Sequence, residues 1–250
     1  MYHTTGLRRD QVTDLCATIH RETVDVDRRW PPCLGLFTSV VVALTYLRRN
    51  RVQVELAETF GVSQSTISRA ITAMTPLPAK LLAECVPTVD ELDSRSTYIV
   101  DGTLLPCWSW VSREKTLYSG KHRTTGLNVQ VARTLDGRLA WVSDPLPGNW
   151  HDTRCLTDSG VLDRDVSHWM GDKAYVGMGI LTPIRTPARR ELVKWERNFN
   201  HEHNAIRVRV EHAIANLKTW RILHTDYRRP LATFATTITA VLGLQFYRQA

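Results

Sequence analysis

Tyr98-Ile99-Val100-Asp101-Gly102-Thr103 sets a carboxylate in the middle of an apolar, β-branched run. The run predicts a strand over 97–103 whose neighbours would bury Asp101, and a buried carboxylate is costly unless it is paired or cation-bound. Further strands are expected over 127–133 and 138–142, joined through Asp136-Gly137, a type I′ hairpin signal. A helical segment near 152–162 follows, then a short strand over 166–172 that ends on Asp172 just before Lys173-Ala174-Tyr175. Beyond Pro187 the pattern is helical to the end of the sequence. Each acid is unremarkable alone. The order strand–strand–strand–helix–strand–helix raises them, because adjacent strand ends and a covering helix bring carboxylates together.

The covering helix is expected over 204–219. At about 100° per residue, Arg207, Glu211 and Lys218 fall within about 40° of one another, with Asn204 beside them. Ile206, Val210, Ile214 and Leu217 take the adjoining, core-facing sector. One edge of the helix thus carries a carboxylate flanked by two cations and an amide. Asp101, Asp172 and Glu211 would form a set of hard oxygen ligands, which selects Mg²⁺ or Mn²⁺ over zinc. Two such ions about 3.5–4 Å apart suit phosphodiester chemistry, with Arg207 and Lys218 holding phosphates. His201-Glu202-His203 with His212 lacks the His-Glu-x-x-His spacing and reads as solvated histidines. Trp108 and Trp110 read as a core edge, with base stacking as the alternative. The basic loop 118–123 is either plainly solvated or follows a DNA backbone.

Residues 1–90 differ in character: apolar residues recur at helical spacing, with breaks at Pro31-Pro32, Pro76 and Pro78. Within them, residues 52–74 carry a helix-turn-helix pattern, with a helical hairpin that merely packs as the alternative. Val54, Leu56 and Phe60 are expected to face inward on the first helix, and small Ala57 allows close approach. Gly61 takes the turn, Val62 plugs the gap, and Ser63 is an N-cap. The second helix buries Ile67, Ile71 and Met74, leaving Gln64, Ser65, Ser68, Arg69 and Thr72 outward, where they can meet phosphates or base edges. We therefore expect two domains: 1–90, helical and DNA-binding, and 91–250, catalytic.

Composition is ordinary for a globular chain. Of 250 residues, 43% are hydrophobic and 23% charged, which excludes disordered and collagen-like classes. The longest apolar runs, 33–47 and 231–247, are interrupted by Ser, Thr or Gly and fall short of a membrane span. The first ten residues are polar and predict no signal peptide. Five scattered cysteines without a Cys-x-x-Cys pair point to reduced thiols, not to a disulfide or zinc framework. A cytoplasmic, nucleoid-associated protein is expected. Net charge is +7, and its distribution matters more than the total. Residues 139–184 hold 3 basic and 6 acidic residues, between basic segments 113–138 (6 and 2) and 185–229 (11 and 5). Carboxylates repel phosphate, so an acidic stretch between basic ones makes sense if a cation lies between carboxylate and phosphate; an ordinary mixed surface is the alternative, and composition alone favours it.

Asn204-x2-Arg207-x3-Glu211-x6-Lys218 resembles the Tyr-x2-Arg-x3-Glu-x6-Lys signature of bacterial insertion-sequence transposases, with Asn in place of Tyr. Val100-Asp101-Gly102-Thr103, Gly148-Asn149-Trp150-His151-Asp152 and Gly171-Asp172-Lys173-Ala174-Tyr175 resemble the other blocks of the DDE superfamily endonucleases, the group that includes Harbinger-type transposases. The resemblance covers nearly the whole chain. It implies an α/β (α+β) ribonuclease-H-like mixed sheet with flanking helices, preceded by the all-helical helix-turn-helix domain. It also implies Mg²⁺-dependent strand cleavage and transfer on double-stranded DNA, at transposon ends and target, by a homodimer or higher oligomer on DNA. Asp101 matches the first acid and Glu211 the third. The second is Asp172 or Asp152. Asp172, at the end of a strand beside the first, is favoured, and Asp152 would support the metal or cap a helix. Two alternatives remain open: a catalytically silent regulator derived from a transposase, and a Mg²⁺-dependent endonuclease without joining activity.

Overall fold

The computed structural model describes residues 2–23, 29–108 and 115–249. It contains helices α1 (Tyr2–Thr5), α2 (Arg9–Thr23), α3 (Gly35–Arg49), α4 (Gln53–Phe60), α5 (Gln64–Met74) and α6 (Pro76–Leu81). Strands β1 (Tyr98–Pro106), β2 (Tyr118–Ser119), β3 (Thr124–Thr134), β4 (Leu139–Val142) and β5 (Leu146–Pro147) follow. Helices α7 (Asp152–Asp158), α8 (Lys194–Leu217) and α9 (Phe234–Gln249) complete the chain. Contacts divide it into two compact units, one of Met1–Val86 with Lys218–Ala250, the other Pro87–Leu217. The boundary near residue 90 follows the change in sequence character. At the other end, however, the last stretch packs with the N-terminal helices, because apolar α9 buries its Phe234, Ile238, Val241 and Leu244 there.

In the helical unit, α4 ends on Gly61 at φ +66°, a left-handed position where a Cβ would strain the backbone. Ser63 caps α5 and its hydroxyl oxygen accepts from the Thr66 N–H. Ile67, Ile71 and Met74 are buried as the spacing predicts. Val54 departs from expectation: it is 53% exposed, and Leu56 with Ala57 supplies the buried face of the short α4. Gly243 of α9 explains one close approach, since a Cβ there would lie 2.9 Å from the Leu82 side chain.

The second unit is built on β3, which pairs antiparallel with β1 along nine residues and also with β2, β4 and β5. The expected hairpin between β3 and β4 forms, but not through a type I′ turn. The Gly137 N–H bonds back to the Thr134 carbonyl, and Gly137 alone in the loop has positive φ, so the connection is a three-residue loop. On its other edge β1 receives the backbone of Met170, which pairs in parallel with Ile99 and then with Leu181. The strand expected over 166–172 is thereby reduced to single bridges. The result is a mixed, ribonuclease-H-like sheet. Alternation along β1 sends Tyr98 and Val100 into a core with Trp141, Leu156 and Trp169, and Ile99 into one with Met170 and Val210 of α8. Asp101 shares the parity of Ile99, and Gly102 that of Val100. The sequence of β1 therefore aims one acid at the α8 side and leaves a vacancy on the α7 side one residue later.

Candidate active site

Asp101 is 18% exposed and receives Arg207 Nη1 at 3.4 Å on Oδ2, while its Oδ1 accepts from the Gly102 N–H at 2.9 Å. The same guanidinium reaches Glu211 Oε1 at 3.8 Å through Nη2. Arg207 therefore bridges the first and third expected acids, one on the sheet and one on α8. Glu211 is 59% exposed, open to a partner from solvent. The start of α8 is fixed by Glu196, whose carboxylate accepts from the Val193 N–H at 2.8 Å and from Arg190. Those bonds hold the Glu196 carboxyl down at about 2.

Asp172 follows Met170 by two residues, so the parallel bridge to Ile99 sets Asp172 alongside Asp101. Burial, then repulsion from Asp172, pushes the Asp101 carboxyl up to about 6; Arg207 works against this, and repulsion from Asp152 is a weaker contribution. Asp172 Oδ1 accepts from the Ala174 N–H at 2.7 Å and caps a 3₁₀ turn. The capping role expected of Asp152 thus falls to Asp172. Asp152 is the first residue of α7, behind His151, and gives both oxygens to other segments. Oδ2 takes Lys121 Nζ at 2.8 Å and Oδ1 takes Asn128 Nδ2 at 3.1 Å.

Asn128 belongs to a buried relay. Tyr175 Oη donates to Gln130 Oε1 at 2.7 Å, and Gln130 Nε2 donates to Asn128 Oδ1 at 3.1 Å. Burial and the nearby carboxylates raise Tyr175 well above the usual phenol range, so it remains a donor. Sequence reading missed Asn128 and Gln130. Their signal was available: two polar residues of equal parity within the stretch 127–132, which is otherwise Leu, Val and Ala.

Other expected residues are not among these contacts. Asn204 is exposed on α8. Lys218 lies one residue past the end of α8, in the first unit, and burial pulls its ammonium down. The histidines do not cluster: His201 and His212 are exposed, while His203 is buried with Nε2 at 3.1 Å from the Leu181 carbonyl oxygen. Trp108 is 53% exposed, and Trp110 lies outside the described residues. In the helical unit Gln64, Ser65 and Arg69 are exposed along α5 and Ser68 is half-buried. Among the described residues no helix is long and apolar enough to cross a membrane.

Across residues 100–245 the sequence matches the DDE superfamily endonuclease family. The chain belongs to that family. Residues 32–84 match the helix-turn-helix of DDE superfamily endonuclease. Over 228 residues the chain is 31% identical to a Streptomyces albus G protein named "Putative transposase for insertion sequence element IS112", covering 87% of this chain and 83% of that one. It is 25% identical over 228 residues to the "Probable transposase for insertion sequence element IS702" of Microchaete diplosiphon, covering 88% and 83%. No solved structure gives a significant match. A DDE superfamily endonuclease implies a nuclease, and the family's general use of divalent metal can be tested against these side chains. The donor chemistry fits. Asp101, Asp172 and Asp152 are hard oxygen donors, and the raised Asp101 records burial first and repulsion from Asp172 second, both of which a cation would offset. They are not drawn into a ready-made cage: among the described residues no three ligating side chains stand at metal-binding spacing. Arg207 and Lys121 instead supply the positive charge.

Proposed function

We propose that this chain is a DNA transposase that binds the terminal inverted repeats of an insertion sequence, cleaves one strand at each end and transfers the 3′-hydroxyl to target DNA. The observation that carries this is the bridge from Asp101 through Arg207 to Glu211, with Asp172 alongside Asp101. Asp101, Asp172 and Glu211 are the acids of the site, and Asp152 supports them. Together they would hold Mg²⁺, with Mn²⁺ as a substitute. A divalent pair in such a site supplies an activated water or 3′-hydroxyl and stabilises the leaving oxygen.

The protein's own groups do the rest. Arg207, already between two carboxylates, turns its guanidinium to a phosphate oxygen as DNA arrives and neutralises charge there. Lys121 at the mouth of the site is placed to do the same. Asn128, braced by Gln130 and Tyr175, keeps Asp152 in one rotamer throughout. Attack by water leaves a 3′-hydroxyl on the element. Attack by that hydroxyl on a target phosphate joins the strands in line, without a covalent bond to the protein. Gln64, Ser65, Ser68 and Arg69 of α5 contact the repeat, and Asn204, Arg207 and Lys218 contact phosphates. Two ends must be paired, so a dimer or larger assembly forms on the DNA.

The test is incubation of the purified chain with labelled duplex carrying the repeats that flank its own gene, in Mg²⁺ and in EDTA. The proposal expects Mg²⁺-dependent nicks at the repeat ends together with joined products. Binding without cuts in any divalent metal would make the chain a regulator, and cuts without joined products would make it an endonuclease only.

A further inference from the structure

The helical unit carries a cationic group at α5 that the helix-turn-helix pattern does not include. Thr72, on the outward face of α5, accepts a hydrogen bond at 2.8 Å from Nη2 of Arg229, more than 150 residues later in the chain. Thr72 spends its own hydroxyl proton on the Ser68 carbonyl at 2.8 Å, so its oxygen is oriented toward the guanidinium. Arg229 is held on a stiff segment. Tyr227 is buried and stacks on Phe234 with centroids 4.3 Å apart, and Arg228 donates to the Asn50 carbonyl at 2.6 Å. Among the described residues the Arg229 guanidinium binds a neutral hydroxyl, and no carboxylate pairs with it.

Arg69 is in the same condition, donating to the Ser65 carbonyl and the Thr66 hydroxyl. Thr72 lines a groove of about 700 Å³ together with Arg69, Ser68, Gln64 and Arg29. Arg29 and Arg69 line this groove, beside apolar Ala73, Pro76 and Leu77, and Arg229 reaches its edge at Thr72. Among the described residues no carboxylate pairs with Arg69 or Arg229, and cations so placed beside a groove suit an extended polyanion.

We propose that Arg229 is a phosphate contact for duplex DNA lying along α5, oriented by Thr72. The inference rests on the reading that α5 binds DNA. A phosphate contact fixes register and carries no base information, so the loss of affinity should be equal on specific and random duplex.

The experiment titrates the full chain with a 30-base-pair duplex carrying the terminal repeat and with a scrambled duplex, over a range of salt. Arg229→Gln and Arg229→Lys are compared with wild type, with thermal melts of each. Arg229→Gln should weaken binding several-fold on both duplexes and lower the slope of log K against log salt by about 0.9, with Tm unchanged. Arg229→Lys should restore the slope. If Arg229 merely ties the C-terminal segment to α5, Arg229→Gln and Thr72→Val will lower Tm alike and leave the salt slope at the wild-type value, which overturns the inference. Wild type that binds neither duplex would instead overturn the underlying reading of α5, and this inference with it.

Discussion

The carboxylate of Asp152 lies against the α-carbon of Gly102: a Cβ at residue 102 would stand 2.4 Å from Oδ1. The glycine after Asp101 is therefore required by an acid fifty residues later, and not by its own backbone angle. Gly102→Ala should push Asp152 and the Gln130 amide, itself 2.9 Å from that Cβ, off their bonds. We expect a loss of about 1–3 kcal/mol in denaturant titration. Cleavage should fall much further than DNA binding. An alanine variant that cuts at the wild-type rate would show that Asp152 need not stay where it is.

Asp101 gives a stability signature that depends on pH. Its folded pKa of about 6 lies above the ordinary 3.8, so the folded chain holds this proton more tightly than the unfolded one. The stabilisation from that proton is complete below about 4 and is lost as pH rises through about 6. Asp101→Asn removes the titration, so the variant should gain on wild type between pH 4 and 7, by about 3 kcal/mol at most. Adding Mg²⁺ at pH 7 should stabilise wild type and narrow the gap. A difference that stays flat with pH would mean that Asp101 is not held in this field.

Lys121 is 62% exposed but Asp152 only 11%, so the pair sets a solvated cation on a nearly buried carboxylate. Lys121→Met should cost about 1–3 kcal/mol in stability, because it leaves that carboxylate without its cation. It removes a positive charge that faces Asp152 and, more distantly, Asp101 and Asp172. The titration of Asp101, followed by carboxyl NMR in wild type and variant, should move to higher pH. A midpoint that moves down or stays fixed would remove Lys121 from the electrostatics of the site.

Tyr175→Phe isolates the relay. The ring remains buried, but Gln130 Oε1 loses its donor, and an unsatisfied buried acceptor costs about 1–3 kcal/mol. Asn128→Ala should cost cleavage more than Tyr175→Phe does, because it touches Asp152 directly. Comparing melts and nicking rates of the two variants checks the order; a reversed order in nicking would break the proposed chain of positioning.

The parts of this molecule that were legible from sequence are those with local signals. Gly61, Ser63 and the buried spacing of Ile67, Ile71 and Met74 announce the helix-turn-helix because turn, cap and period are all short-range. The strand that carries Asp101 is legible for the same reason. Val54 misled because α4 has only eight residues, too few for periodicity to decide between neighbouring faces. The packing of α9 with the N-terminal helices leaves no local trace: its partners are more than 150 residues away. The strand expected over 166–172 is held by two single bridges, so apolar content alone overstated it. The candidate site divides similarly. Asp101, Arg207 and Glu211 follow from strand parity and helix spacing, whereas the contact of Lys121 with Asp152 arises only when a loop folds back across 31 residues.

The most direct test of the central claim sets cleavage against binding in Asp101→Ala and Glu211→Ala, on one labelled repeat-end duplex in Mg²⁺. The account predicts that both variants bind the duplex with near wild-type affinity and that nicking falls by about a thousandfold or more, a barrier increase of about 4 kcal/mol. Nicking at the wild-type rate in either variant would contradict it, and the acids bridged by Arg207 would then not be the ones that cut DNA.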